Sequence, residues 1–454
     1  MKEVASMKNQ DKLKELILNN HKHQNAYFRV EKRKKYEIKI TENQTYLIKN
    51  GIEEGGNVLL DLEKKSNLYC FTDITDDLLN EIQTAARSRN LKKSLITLNT
   101  HTGSFCMIEE KSKYIEIEAL IEQLRDYINF IKNIDDSIVD VWCQYKEEYI
   151  EKQFFNNVGM DVIYDNFDIA FFIKVTFCIN HSLFIDTFYD GSSYDRNIVI
   201  GRQEDLRKFI CKVLSILKLK CYKMAARSFN HIILDQSVAG TFVHEVVGHL
   251  SEADNTENFN SVRRGEILSG AYVSVCDESL PEARGYIKFD DEGTLTEKQV
   301  IIDRGRLIGR MNTIKTGIYY GERACGNARS ISFMHAPLCR MRHTSLSDGE
   351  FNLQDILSSC DSGLYLIGSR GGSSGVNFSI SSRYGIMIEK GKKVGVIYNP
   401  YLQGNVFQAL KGIKYVCNDK LTMNFYNGCG RDDQYPLPVS FSSPSLYLEG
   451  GFYH

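Results

Sequence analysis

In the first half of the chain, apolar residues recur at helical spacing in three places. Residues 76–91 align Leu78, Leu79, Ile82, Ala85 and Ala86, residues 117–134 align Leu120, Ile121, Leu124, Tyr127, Ile128 and Ile131, and residues 204–225 align Leu206, Phe209, Ile210, Val213, Leu214 and Leu217. Each pattern predicts an amphipathic helix. Between them, residues 27–31 and 169–175 are rich in aromatic and β-branched side chains and read as strands, and residues 177–188 are expected to pair back across a turn near Asn180. Beyond residue 228, short apolar runs at 271–275, 299–310 and 384–389 alternate with Asp-Arg-Gly and Glu-Lys-Gly turns, the chemistry of tight hairpins. All six prolines lie at or beyond Pro281, so the two halves differ in kind. The expected fold is α+β: an N-terminal α/β region followed by a mainly antiparallel β C-terminal domain against which a metal-binding helix packs. The expected units are residues 1–100, residues 101–228 ending in a long helix, and a β-rich domain at 229–454.

The candidate chemistry lies where the last unit begins. The strand-like His231-Ile232-Ile233-Leu234-Asp235 and the turn Ala239-Gly240 lead into His244-Glu245-Val246-Val247-Gly248-His249. Two neutral imidazoles can hold zinc, and a carboxylate beside the first is close enough to take a proton from water at the metal. The spacing is one residue longer than in the common zinc-hydrolase helix. Histidines four apart are roughly 40° apart around the axis, whereas five apart on an ideal helix gives about 140°. Gly248 is where the helix must loosen into a wider turn or end, bringing His249 round to His244. A surface amphipathic helix with two unrelated histidines would carry the same residues. A third ligand is needed for a tight site, and Cys429, between Gly428 and Gly430, has room for a sharp backbone turn and an approaching metal. A small buried thiol in a tight turn is the competing reading. The glycine-rich residues 368–375 lack the ending and the following helix of a phosphate loop and suit a flexible loop lining a cleft.

Taken in order, these segments resemble the TldD/PmbA (TldD/TldE) family of peptidases. Residues 243–254, Val-His-Glu-Val-Val-Gly-His-Leu-Ser-Glu-Ala-Asp, are similar to its signature, with Leu250, Ser251 and Ala253 where the family often has glycine nearby. Phe289-Asp290-Asp291-Glu292-Gly293-Thr294 resembles its acidic turn, residues 333–341 its histidine-proline-arginine segment with Leu338-Cys339 in place of a second proline, and residues 371–376 its glycine-rich loop. The resemblance implies one zinc per chain held by His244, His249 and Cys429, with Glu245 as catalytic acid/base. All four residues mark the metal-binding TldD-type subunit, because the TldE/PmbA branch typically lacks them. It further implies a zinc-dependent peptidase acting on unfolded or extended peptides, including leader removal from peptide natural products. The implied partner is a TldE-like paralogous subunit in a heterodimer, or a second copy in a homodimer. Glu252 and Asp254 are candidates to orient an imidazole, or are solvated loop carboxylates. His335 is a candidate to bind substrate or an oxyanion, or is structural, and Arg340 is a candidate for a substrate carboxylate. Two other functions fit the family outline: a non-proteolytic subunit that binds or modifies a peptide, and a metal-free scaffold.

Composition narrows the setting without changing the chemistry. The chain has 454 residues, 43% of them apolar, enough for a large core in two or three domains. Lys+Arg 56 against Asp+Glu 58 leaves a net charge of −2, which calls for neither nucleic acid nor an anionic membrane. The run Lys32-Arg33-Lys34-Lys35 is expected to be solvated. A charged N-terminus, no stretch approaching a membrane span and 12 scattered cysteines predict a cytoplasmic protein with free thiols.

Overall fold

A computed structural model describes residues 9–19, 25–62, 65–87, 101–105, 116–222, 228–255 and 262–453. The N-terminal strands form one seven-stranded sheet in the order Lys65–Phe71, Thr45–Leu62, Asn25–Ile40, Ile138–Asn156, Asp161–Ile179 and Thr102–Phe105, with Ser182–Ser192 also pairing to Asp161–Ile179. Every pairing is antiparallel except that of Thr102–Phe105. This sheet draws strands from both sides of residue 100. The turn near Asn180 is the expected two-residue reversal, with Asn180 at φ 49° and His181 at φ 64°.

The strands are far longer than their apolar centres predict: 16 residues rather than five at Asn25–Ile40, and 19 at Asp161–Ile179. The added length is charged, and the charges are answered across the ladder. Glu31 lies opposite Lys152, Lys32 opposite Glu151, Lys35 opposite Glu148 and Glu37 opposite Lys146. The basic run is therefore not a solvated stretch. Lys34 is exposed, but Arg33 turns inward and is buried between Glu31 and Glu148.

Helices Ile117–Lys132 and Gln203–Leu217 meet this sheet through Leu120, Leu124, Tyr127, Leu206, Ile210 and Val213, and the same hydrophobic core continues into Ile233, Tyr365, Ile367 and Ile386 of the C-terminal half. One core thus joins the two halves. The second helix stops at Leu217, short of the predicted end, because the backbone of Lys220 and Tyr222 exchanges hydrogen bonds with Val396; positions 223–225 lie outside the described residues. Helix Asp76–Arg87 forms as predicted, and positions 88–91 likewise lie outside.

The C-terminal half contains two larger sheets. One runs Ser362–Ser373, Ser228–Leu234, Leu446–Tyr453, Tyr401–Asn405, Asn377–Glu389, Lys392–Tyr398, and it closes on itself because Ser362–Ser373 also pairs with Asn377–Glu389. The other runs Arg306–Leu307, Gln299–Asp303, Val275–Glu278, His343–Leu346, Ser440–Ser443, Leu421–Asn424. Both predicted hairpins are present, with positive φ at Arg304-Gly305 and Lys390-Gly391. The expected strand at 271–275 begins only at Val275, since Gly270 to Val273 close a turn. Pairing is mainly antiparallel, with parallel steps between Ser228–Leu234 and Ser362–Ser373 and between His343–Leu346 and Ser440–Ser443. The result is an α+β fold. Among the described residues, no helix is long and apolar enough to cross a membrane.

Candidate metal centre

Asp235 ends the strand and caps the next helix, its Oδ1 accepting from the backbone N–H groups of Ser237 and Val238 at 3.1 and 3.0 Å. The helix Gln236–Val243 then widens into a π-helical turn over His244–Gly248, in which His249 N–H donates to the carbonyl of His244. A bond from residue i+5 instead of i+4 inserts one extra residue into the turn, so histidines five apart come to the same side. Their ring centroids are 5.1 Å apart. Gly248 is needed for closeness, not for backbone freedom: its φ of −56° is helical, but an added Cβ would stand 2.0 Å from Met341 Sδ.

Every residue from 238 to 253 is buried. The helix packs Val238, Phe242, Val246 and Leu250 into a core shared with Ile232, Leu364, Phe378 and Val275, which rules out the surface amphipathic alternative. Cys429 reaches the same point from the hairpin Cys429–Arg431 and Gln434–Leu437. It opens a strand, not a tight turn; the bend belongs to Gly428, at φ 88°, where a Cβ would come within 2.5 Å of the Leu437 carbonyl.

Cys429 Sγ lies 3.3 Å from His244 Nε2 and 3.2 Å from His249 Nε2, and the three candidate ligand atoms all fall within 4.8 Å of one another. A tetrahedral zinc with bonds of about 2.0–2.3 Å sets neighbouring ligands roughly 3.5 Å apart. The donor set therefore fits a zinc-sized ion, and two imidazoles with a thiolate suit zinc better than harder metals. Burial pushes the Cys429 thiol up, but the two histidines outweigh it and hold the group well below the usual thiol range. Burial opposes charge on His249, yet Cys429 and Glu252 raise it well above the ordinary imidazole value. The pocket thus favours a thiolate facing positive charge.

Glu245 lies beside these ligands, its Oε2 3.9 Å from His249 Nε2. Burial raises its carboxyl above the usual range, against the pull of both histidines. Gly372 fixes its position on the opposite wall, since a Cβ there would approach Glu245 Cγ to 2.8 Å. The glycine-rich segment does line the cavity, through Gly371 to Ser374, but as the end of strand Ser362–Ser373 rather than as a flexible loop. The cavity encloses about 550 Å³.

The remaining candidates separate. Glu252 is fully buried and accepts at Oε2 from His249 Nδ1 at 3.0 Å and from Arg431 Nη1 at 2.9 Å, so it does orient an imidazole. Asp254 does not. It pairs with Arg431 at 2.8 Å and accepts from the Cys339 backbone, because the chain leaves the helix between the two acidic residues. Arg340, expected to reach a substrate carboxylate, has no exposed surface and lies behind the centre, 3.9 Å from Glu252. His335 faces a separate, larger cavity and is held by the Ser332 hydroxyl at 2.9 Å, away from the ligands. In the sequence Arg431 reads as one charge among its neighbours Asp432 and Asp433. Two residues from a candidate ligand, it ties the cysteine hairpin to Glu252, Asp254 and the Cys339 carbonyl.

Residues 229–451, which carry all of these groups, match the PmbA/TldA metallopeptidase C-terminal domain. This domain belongs to the PmbA/TldD family. A metalloprotease of Archaeoglobus fulgidus is 33% identical over 222 residues, 47% of this chain and 51% of that protein. A zinc metalloprotease TldD homolog of Saccharolobus solfataricus is 25% identical over 401 residues, 84% of this chain and 86% of that one. At the higher identity the match spans about half the length of the relative. In fold, TldE from Thermococcus kodakarensis superposes with a TM-score of 0.75 over 97% of this chain and 99% of its own, at 15% identity. The PmbA/TldD likeness thus extends over both halves as a fold, and at higher identity over about half the chain.

Proposed function

We propose that this chain is a zinc-dependent peptidase that hydrolyses peptide bonds in unfolded or extended peptides. The observation that carries the reading is the convergence of His244, His249 and Cys429 on one point with Glu245 beside it, lining a cavity of about 550 Å³. His244, His249 and Cys429 would hold one zinc per chain. When bound, zinc supplies Lewis-acid polarisation of water and of a carbonyl oxygen. Glu245 then acts as base toward the water and returns the proton to the departing amine, a role suited to a carboxyl raised by burial. Glu252 holds His249 with Nε2 toward the ligands; against burial, His249 and then Arg431 hold its carboxyl below the usual range, and Arg431 keeps the cysteine hairpin in place.

The relatives' names support a metallopeptidase, and the likeness to TldE supports a TldD/TldE-type assembly, as a heterodimer with a paralogue or a dimer of this chain. Leader removal from peptide natural products falls within the same substrate class. The setting is cytoplasmic, where free cysteines stay reduced.

The test has two parts. Elemental analysis should find about one zinc per chain in the parent and much less in Cys429→Ala. Glu245→Gln should keep its zinc and lose about a thousandfold in cleavage of an unstructured peptide. Cleavage unchanged in Glu245→Gln would sink the role of Glu245 as base, and no cleavage by the zinc-loaded parent would leave a peptide-binding subunit.

A further inference from the structure

The cavity faced by His335 is the larger of the two, about 590 Å³, and it borders the metal pocket. Tyr435 lines both. Phe425 faces the metal side while its neighbour Tyr426 faces the other, so the cysteine hairpin and the strand before it form the partition. A peptide crossing this partition would place one residue at the metal ligands and others in the second cavity.

The floor of that cavity gathers cations around the buried carboxylate of Asp168. Arg284 binds both oxygens of Asp168, at 2.7 and 2.6 Å, and Lys146 and Arg329 lie close enough for Asp168 to feel their charges. Neither Lys146 nor Arg329 has a carboxylate at ion-pair distance among the described residues. Lys146 rests its ammonium 4.2 Å from the Tyr426 ring centre, and Arg329, 5% exposed, is held by the carbonyls of Met341 and Pro438. Most carboxylates on the cavity wall are already engaged: Glu147 by Arg196, Glu148 by Arg33, Glu53 by Lys35 and Asp291 by Arg29. Glu37 is the exception, with a hydrogen bond from Gln144. Two cations against one carboxylate leave an excess of positive charge.

We propose that this second cavity is a subsite for a carboxylate of the peptide substrate, held between Lys146 and Arg329. The inference rests on the peptidase reading of the metal centre and adds the substrate class: peptides with a free C-terminal carboxylate or an acidic side chain on one side of the scissile bond. The electrostatics agree. Burial and Arg284 bring Lys146 down to about 8, and burial and Arg340 bring Arg329 down to about 10, as for cations short of countercharge. A carboxylate bound there would relieve both.

Binding to the zinc-loaded Glu245→Gln chain, read by fluorescence anisotropy with an uncharged label, tests this without requiring turnover. Three unstructured peptides suffice: one uncharged and amidated, the same peptide with a free C-terminal carboxylate, and the amidated peptide with one glutamate. At least one carboxylate peptide should bind about tenfold tighter than the uncharged one, and which of the two does so identifies the source. The preference should shrink below about threefold in Lys146→Gln, survive in Lys146→Arg, and narrow for the parent site as salt rises from about 0.05 to about 0.5 M. Equal binding of all three peptides overturns the subsite alone. Failure of every peptide to bind removes the peptide reading of the metal centre as well.

Discussion

Two clusters of buried charge in this molecule are built in opposite ways. In the first, Arg29 bridges Glu31 at 3.1 Å and Asp291 at 3.0 Å, Arg33 takes the other oxygen of Glu31 at 2.7 Å, and Lys152 pairs with Asp291. Each charge meets its opposite, and the cluster ties two strands of the N-terminal sheet to the acidic turn of the C-terminal half. In the second, His244, His249 and Cys429 turn three electron-pair donors toward one another, with Glu245 beside them. The degree of burial does not separate the two: Arg29 is 2% and Asp291 7% exposed, His244 6% and Cys429 6%. Geometry does. A network that satisfies itself has no affinity left for a ligand, whereas donors converging on one another leave a demand that a cation meets.

The largest effect should follow from breaking the self-satisfied cluster. Asp291→Asn leaves Arg29 and Lys152 with Glu31 alone, which Arg33 also claims, and loss of one partner of a buried pair costs about 3–5 kcal/mol. The denaturation midpoint should fall accordingly, while the protein that remains folded keeps its zinc. Loss of zinc from folded Asp291→Asn would show that the clusters are coupled. A smaller effect is expected at Glu252. Glu252→Gln keeps the shape but weakens the hold on His249 Nδ1 and on Arg431, and such partners of a ligand are typically worth 10–100-fold in metal affinity. Competition with a chelator measures this, and Arg431→Met should fall in the same range if Arg431 acts through Glu252. An unchanged affinity in both would reduce Glu252 to a structural anion.

How much of this was legible in the sequence depended on whether the partners are near in the chain. His244, Glu245 and His249 declare themselves within six residues, and their five-residue spacing demands a widened turn, which the π-helix supplies. Even there the reason for Gly248 was hidden, because Met341, which crowds it, lies 93 positions away. The long charged strands were unreadable for the same reason: Lys35 looks solvated until Glu148 is placed opposite it. The sequence does not show that Asp254 turns to Arg431 or that Arg340 lies behind the centre, because neither burial nor the direction in which the chain leaves a helix is a local property. The three amphipathic helices and the two-residue hairpins have local signals and form at the predicted places, although the third helix ends early, at Leu217, where distant Val396 takes up the backbone.

The smallest predicted effect sharpens the contrast between two buried histidines. His249 meets a thiol and a carboxylate and is raised; His343 meets only hydroxyls, with Ser440 at 2.8 Å and Ser442 at 2.9 Å, and burial followed by the charges of Lys420 and Lys298 lowers it to about 4. In the unfolded chain His343 takes up its proton near the ordinary value of about 6.5. The folded protein resists protonation down to about 4, so the contribution is complete above the ordinary value and is lost progressively as pH falls through this window. Between neutrality and about pH 5.5 the loss should be on the order of 1 kcal/mol, seen as a falling denaturation midpoint. His343→Gln should remove that part of the slope. A parent protein equally stable at both pH values, or a slope unchanged in His343→Gln, would mean that His343 is not held neutral by its surroundings and that its contrast with His249 lies in hydrogen bonding alone.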